Sequence, residues 1–299
     1  VIDISECFLQ EDPSRAICDS IKSFALENSI DFYNHENKTG TLRSISIRVN
    51  KTGEVMILLG FSNDMPGLRD KLLKSLLLSF PQIVSLCWTI HQSPVHGQLQ
   101  GEIRVYGHTT SFIYETLAGY RFRIHVTSFF QPNVLQAEQI FLTALDWAGL
   151  SGNEQIVDLY SGVGTIAMFL APHAAHVTGI EGSPVAIADA KENAKINQFG
   201  NVDFITCDIP ETFRTEFLIH RGRPDLIVLD PPRSGTLIEI KKTINVSGAK
   251  KVLYLSCNPV SLAFDLKQLT EVYKISLIQP FDMLPHTHHP ETLVLLERK

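Results

Sequence analysis

From residue 155 onward, short apolar runs alternate with stretches of helical period, and no other feature restricts the fold of this chain as tightly. The runs occupy 155–159, 176–181, 202–206, 225–229 and 251–255, and each gap between them is long enough for a helix. Consecutive strands joined by a helix lie parallel, because a parallel pair needs a long crossover. The segment 183–198 is the clearest helix, with Ser183 placed as its N-cap and Pro184 in its first turn. Residues 134–148 carry the same helical period. Two later runs, near 272–279 and 291–296, are spaced as a hairpin, which makes the far edge of the sheet antiparallel. The expected architecture is α/β, a doubly wound parallel sheet.

The first 120 residues lack this rhythm and read as a smaller α+β domain. Ala16, Ile17, Ile21, Phe24 and Ala25 give 13–27 a helical face. Runs at 44–49 and 54–59 flank Asn50-Lys51-Thr52-Gly53, a hairpin signal. A helix is expected over 68–80, and strands at 83–90, 102–106, 111–115 and 120–126. The expected domains are therefore 1–120 and 121–299.

Bulk properties remove several function classes. The net charge of −6 is not the footprint of a protein that coats nucleic acid, so any such partner needs a local basic groove. Five scattered cysteines with no C-x-x-C pair argue against a disulfide framework and point to a cytoplasmic setting. No apolar run reaches the ~18 residues of a membrane span, and no signal segment opens the sequence.

In doubly wound sheets ligands bind beyond the carboxyl ends of the strands, so chemistry is expected in the residues just after each run. The first is followed by D-L-Y-S-G-V-G-T, 158–165, in which Gly162 and Gly164 let a turn approach a ligand closely. The spacing is not G-x-G-x-x-G, since Ala167 takes the third place. The second run ends at Glu181, an acid placed to grip the hydroxyls of a ribose or to serve as a helix N-terminal charge. The third leads to Asp208, which could meet an adenine amino group or cap a helix. The fourth ends in L-D-P-P-R-S-G, 229–235, where two prolines forbid further ladder bonding and hold Asp230 at the rim.

The fifth run ends in Ser256-Cys257-Asn258-Pro259. A free cysteine is ordinarily a core residue. At a carboxyl exit beside Asp230, Cys257 reads instead as a nucleophile. Finally, L-P-H-T-H-H-P-E-T, 284–292, packs three histidines into four positions. No second ligand set accompanies them, so a loop that positions Glu291 is preferred to a metal site.

These motifs, in this order, together with F-F-Q-P-N at 129–133, resemble the S-adenosylmethionine-dependent RNA uridine-5-methyltransferases, which make 5-methyluridine in transfer RNA and large-subunit ribosomal RNA. The resemblance is strong over 122–299, and looser before, where it leans toward the ribosomal-RNA members. It implies a Rossmann-like class I methyltransferase sheet with S-adenosyl-L-methionine as cofactor. By resemblance, Gln131, Tyr160, Thr165, Glu181, Asp208 and Asp230 contact that cofactor, with Gly162 in the turn beneath it. Cys257 is then the nucleophile, Glu291 the base, and Asp230 the acid that orients the uracil.

The chemistry accounts for these residue types. Carbon 5 of uracil is a poor nucleophile until a thiolate adds to carbon 6, and a base must then take the proton from carbon 5. The resemblance also implies an RNA partner with a flipped-out uridine. The thiol should lie in an electropositive or hydrogen-bonded setting, with Arg233 a candidate source. Arg121 and Arg123 with Phe122, Phe129 and Phe130 form either a basic-aromatic contact strip or an ordinary amphipathic strand; the strand is preferred. Some family members hold an iron–sulfur cluster on four cysteines. Cys7 falls near the place of the last, but the residues present cannot hold a cluster. Two other readings stay open. One is an amino-group methyltransferase on a nucleic-acid base, since Asp-Pro-Pro is shared, although Arg233 replaces the aromatic that chemistry uses. The other is a non-catalytic RNA-binding assembly factor.

Overall fold

A computed structural model of the chain describes residues 7, 9–91 and 101–299. They fall into two units, one of residues up to Glu115 with Arg123–Thr127, the other of Thr116–Phe122 with Ser128–Lys299.

The first unit contains α1 (Ser14–Glu27), β1 (Leu42–Val49), β2 (Val55–Phe61), α2 (Pro66–Ser79), β3 (Ile83–Ile90) and β4 (Arg104–Val105). Its sheet runs β1-β2-β3-β4. The β1–β2 hairpin forms because Asn50 Oδ1 accepts from the amides of Thr52 and Glu54 while Gly53 turns at φ +81°. The parallel β2–β3 pair is bridged by α2. Ile17, Ile21 and Ala25 of α1 and Leu72, Leu73 and Leu76 of α2 pack on a β2 buried along its whole length. The expected strand at 102–106 contracts to Arg104–Val105. A two-stranded hairpin, β5 (Phe112–Leu117) and β6 (Tyr120–His125), contributes residues to both units.

The second unit holds α3 (Val134–Ala148), β7 (Gln155–Leu159), α4 (Thr165–Leu170), β8 (His176–Glu181), α5 (Pro184–Ile196), β9 (Val202–Thr206), α6 (Ile209–Thr212) and α7 (Thr215–Arg221). It continues with β10 (Leu226–Leu229), α8 (Ile238–Ser247), β11 (Lys251–Ser256), α9 (Pro259–Leu269), β12 (Tyr273–Phe281) and β13 (Glu291–Arg298). The sheet order is β12-β13-β11-β10-β7-β8-β9. Strands β7 to β11 pair in parallel, as the crossover lengths require. The central strands are largely apolar because both faces are covered: all four residues of β10 are apolar and buried. Each such side chain contributes about 1.5–3 kcal/mol by leaving water.

The last two strands do form a hairpin, but β13 does not lie at the edge. It inserts between β11 and β12 and runs antiparallel to both. The start of β13 therefore comes to the edge of the sheet where β10 and β11 end.

Candidate active site

One half of the site is the turn after β7. Tyr160 sits at φ +65°, Gly162 at +55° and Gly164 at +86°. A left-handed tyrosine costs about 1–3 kcal/mol and persists only where its surroundings hold it. Here the amides of Tyr160 and Ser161 both donate to Ile180 O, and the Tyr160 hydroxyl meets Thr236 Oγ1 at 3.0 Å. The two glycines play different parts. A Cβ on Gly164 would lie 2.7 Å from the Phe204 ring and 2.9 Å from Met168, so Gly164 serves packing and not the ligand approach expected of it. A Cβ on Gly162 would meet nothing within 4 Å; that glycine faces open space.

Glu181, at the end of β8, spans to this turn. Its Oε2 accepts from the Gly162 amide at 3.2 Å and its Oε1 from the Ser183 amide at 2.8 Å. Beside the turn is a cleft lined by Phe129, Gln131, Asp158, Tyr160, Gly162, Thr165 and Asp230, among others. The structure thus brings Gln131, Tyr160, Gly162, Thr165 and Asp230 together. Asp208 is not among the lining residues; it is the N-cap of α6 and accepts from the Glu211 amide at 3.1 Å.

Asp158 was not singled out from the sequence. It points from β7 into the cleft at 1% exposure, and neither carboxylate oxygen makes a hydrogen bond of ordinary geometry, although the Ala167 backbone amide acts on the group. Burial lifts its pKa to about 8, against a weaker downward pull from the Ala167 amide, and Glu181 adds a further push upward. An unpartnered acid of this kind calls for a donor from a ligand. Its signal was an acid inside an otherwise apolar run.

The other half is the exit of β10 and β11. Asp230 follows β10 and Cys257 follows β11, its neighbour in parallel register. In the antiparallel β11–β13 ladder Ser256 pairs with Thr292, so the next step places Cys257 opposite Glu291. Glu291 is 8% exposed, and its Oε2 has no partner. Burial raises its pKa to about 7, opposed by the Arg233 guanidinium. Asp230 is pushed well above the usual carboxylate range by burial, then by Glu291 and Asp158.

The thiol departs from expectation. Burial, then Glu291 and Asp230, raise the Cys257 pKa, and Arg233 pulls it down by less. The setting is acidic overall, with Arg233 the cation that opposes it.

Arg233 is itself held. Its side chain donates to His289 Nδ1, and its carbonyl accepts from Asn258 Nδ2 at 2.9 Å. Asn258 also caps α9, accepting from the Val260 amide at 3.0 Å. The histidine loop thus serves Arg233. Among the described residues, no group of three or more His, Cys, Asp or Glu is arranged to hold a metal ion. No helix among them is long and apolar enough to cross a membrane.

The basic-aromatic strip does not form. Phe122 and Phe130 are buried against each other, with ring centroids 5.7 Å apart. The Arg121 backbone is bonded on both sides to the Asn197 amide group, and Arg123 stacks over Phe112. Phe129 alone of these aromatics is exposed, at the cleft.

The family model described as tRNA (Uracil-5-)-methyltransferase matches residues 108–299. A Bacteroides thetaiotaomicron protein named an uncharacterized RNA methyltransferase is 38% identical over 99% of this chain and 66% of its own length. A Porphyromonas gingivalis protein of the same name is 37% identical over 100% of this chain and 65% of its own. The chain therefore spans just under two-thirds of the length of these relatives. Among solved structures, the Pyrococcus abyssi tRNA (uracil-54, C5)-methyltransferase, in complex with S-adenosyl-L-homocysteine, is 30% identical. It aligns with a TM-score of 0.78 over 99% of this chain and 70% of that one.

Proposed function

The chain belongs to the tRNA (uracil-5-)-methyltransferase family, and from that premise we propose that it transfers a methyl group from S-adenosylmethionine to carbon 5 of a uridine in RNA. The observation that carries this reading is the convergence of Cys257, Asp230 and Glu291 at one sheet edge, made by the reversed strand β13.

The residues of the cleft fit the methyl donor. Gly162 leaves room where a bulky ligand would lie, Glu181 stands at the strand end suited to ribose hydroxyls, and the orphaned carboxyl of Asp158 lacks a donor. Gln131, Tyr160 and Thr165 complete the wall. When bound, the donor supplies an electrophilic methyl on a sulfonium whose positive charge offsets the acids around it.

The chain's own residues do the rest. The uridine leaves its stack to enter the site. The Cys257 thiolate bonds to carbon 6, and the π electrons move onto the carbonyl oxygen as an enolate. Asp230 in its protonated form, favoured by its raised pKa, donates to the uracil and orients it. The enolate makes carbon 5 nucleophilic toward the methyl. Glu291 then takes the proton from carbon 5, the carbon 5–carbon 6 double bond re-forms, and the thiolate departs.

The sequence resemblance leans to ribosomal RNA, whereas the Pyrococcus abyssi enzyme is named for uracil 54 of transfer RNA. Both RNAs are therefore arms of one experiment. RNA from cells lacking the protein is mapped for 5-methyluridine by mass spectrometry. The reading requires one uridine, in either RNA, to lose its methyl group, and an unchanged map in both contradicts it.

A further inference from the structure

Asp265 lies on α9 and is not among the residues lining the cleft, yet it anchors a segment that borders it. The residue is 4% exposed. Oδ2 accepts from the Thr236 amide at 2.8 Å and from the Tyr254 hydroxyl, and Oδ1 accepts from the Lys241 ammonium, itself 8% exposed. A buried carboxylate is tolerable on such terms, with its charge paired and its lone pairs occupied.

What this carboxylate grips is the far end of D-P-P-R-S-G-T, 230–236. Asp230 opens the segment at the cleft. The Gly235 amide donates to Pro232 O at 2.8 Å, closing a turn. A Cβ on Gly235 would stand 2.6 Å from Asp265 Oδ2, so glycine is what lets the segment close onto the carboxylate. Thr236 then ends the segment with its amide on Asp265 and its hydroxyl 3.0 Å from the Tyr160 hydroxyl. Tyr160 lines the cleft in a left-handed conformation that needs outside support.

We propose that Asp265 is a positioning residue for the methyl-donor half of the site: through the Thr236 amide it fixes the hydroxyl that orients the Tyr160 ring. The inference rests on the reading that this cleft takes S-adenosylmethionine.

Calorimetric binding of S-adenosylhomocysteine to the full chain tests it. Thr236→Val removes the hydroxyl and keeps the amide and the volume. It should weaken binding about 3- to 10-fold, the range for one lost hydrogen bond. Thr236→Ser should bind within about twofold of the parent, a rescue that a purely structural role of the side chain does not predict. Tyr160→Phe should match Thr236→Val, and the double variant should be no weaker than either single, because both remove the same bond. Asp265→Asn should weaken binding as well, with Thr236→Val adding nothing further in that background; if it does not fold, the Thr236 and Tyr160 variants decide alone. Parental affinity in Thr236→Val, or penalties that multiply in the double variant, overturns the inference while leaving the cofactor reading intact. A parent chain without affinity for S-adenosylhomocysteine overturns both.

Discussion

Glu291 stands opposite Cys257, the residue that follows β11, because Thr292 pairs with Ser256 in the antiparallel β11–β13 ladder. The proposed thiol and base, far apart in sequence, are thereby placed on one edge. Glu291→Gln should leave adduct formation intact and slow its resolution about 10²- to 10⁴-fold, the usual weight of a general base. Quenched-flow measurement of product against gel-shifted adduct checks this. Normal turnover by the variant excludes Glu291 as the base.

The same carboxyl predicts a pH dependence. Glu291 titrates at about 7 and must be unprotonated to accept a proton. The thiol pKa is raised, so its reactive form also grows with pH. Single-turnover rate should therefore climb about a hundredfold per unit below about pH 7, where both groups must lose a proton, and about tenfold per unit just above it. Arg233 lowers the pKa of both groups. Arg233→Met should move the profile to higher pH, and a shift to lower pH contradicts the assignment.

Asp158 should trade stability for function. Its folded pKa of about 8 lies above its ordinary carboxylate value, so the folded state holds the proton more tightly than the unfolded chain. Stability from this group is present at low pH and is lost as pH rises toward about 8. Asp158→Asn removes that loss, and should be more stable than the parent by several kcal/mol near pH 8, at about 1.4 kcal/mol for each unit between the two values, with little difference near pH 4. Urea denaturation at both pH values measures it. Affinity for the methyl donor should fall in the same variant.

Asn258 joins helix and site. Asn258→Ala loses the α9 cap and frees the Arg233 carbonyl. The expected cost is about 0.5–2 kcal/mol of stability, with a fall in methyl transfer greater than that of a second destabilised variant matched in melting temperature. Activity that tracks melting temperature alone contradicts the coupling.

Much of this arrangement was legible in the sequence because local physics marks it. The bounds of α3, β7, β8 and β9 follow from hydrophobic period, and Ser183 shows its helix start by capping. The exit positions of Asp230 and Cys257 follow from strand ends. The features that were not legible depend on pairing between distant segments. Periodicity identifies β13 as a strand and is silent on its insertion between β11 and β12. The acidity around Cys257 arises from that insertion, because it places Glu291 beside the thiol. Asp158 was hidden by its apolar neighbours, and the Arg233–His289 bond joins two loops that no spacing rule connects.

The covalent step is the centre of the account, and 5-fluorouridine RNA tests it most directly, since fluorine at carbon 5 cannot leave as a proton and the adduct is trapped. Chain, S-adenosylmethionine and fluorinated transfer or ribosomal RNA are mixed, and the digest is read by mass spectrometry. The predicted result is a methylated fluorouridine on the peptide containing Cys257, absent from Cys257→Ala, which keeps methyl-donor affinity and loses turnover. Methylation of normal RNA by Cys257→Ala at near the parental rate, or by the parent with no adduct on fluorinated RNA, contradicts it.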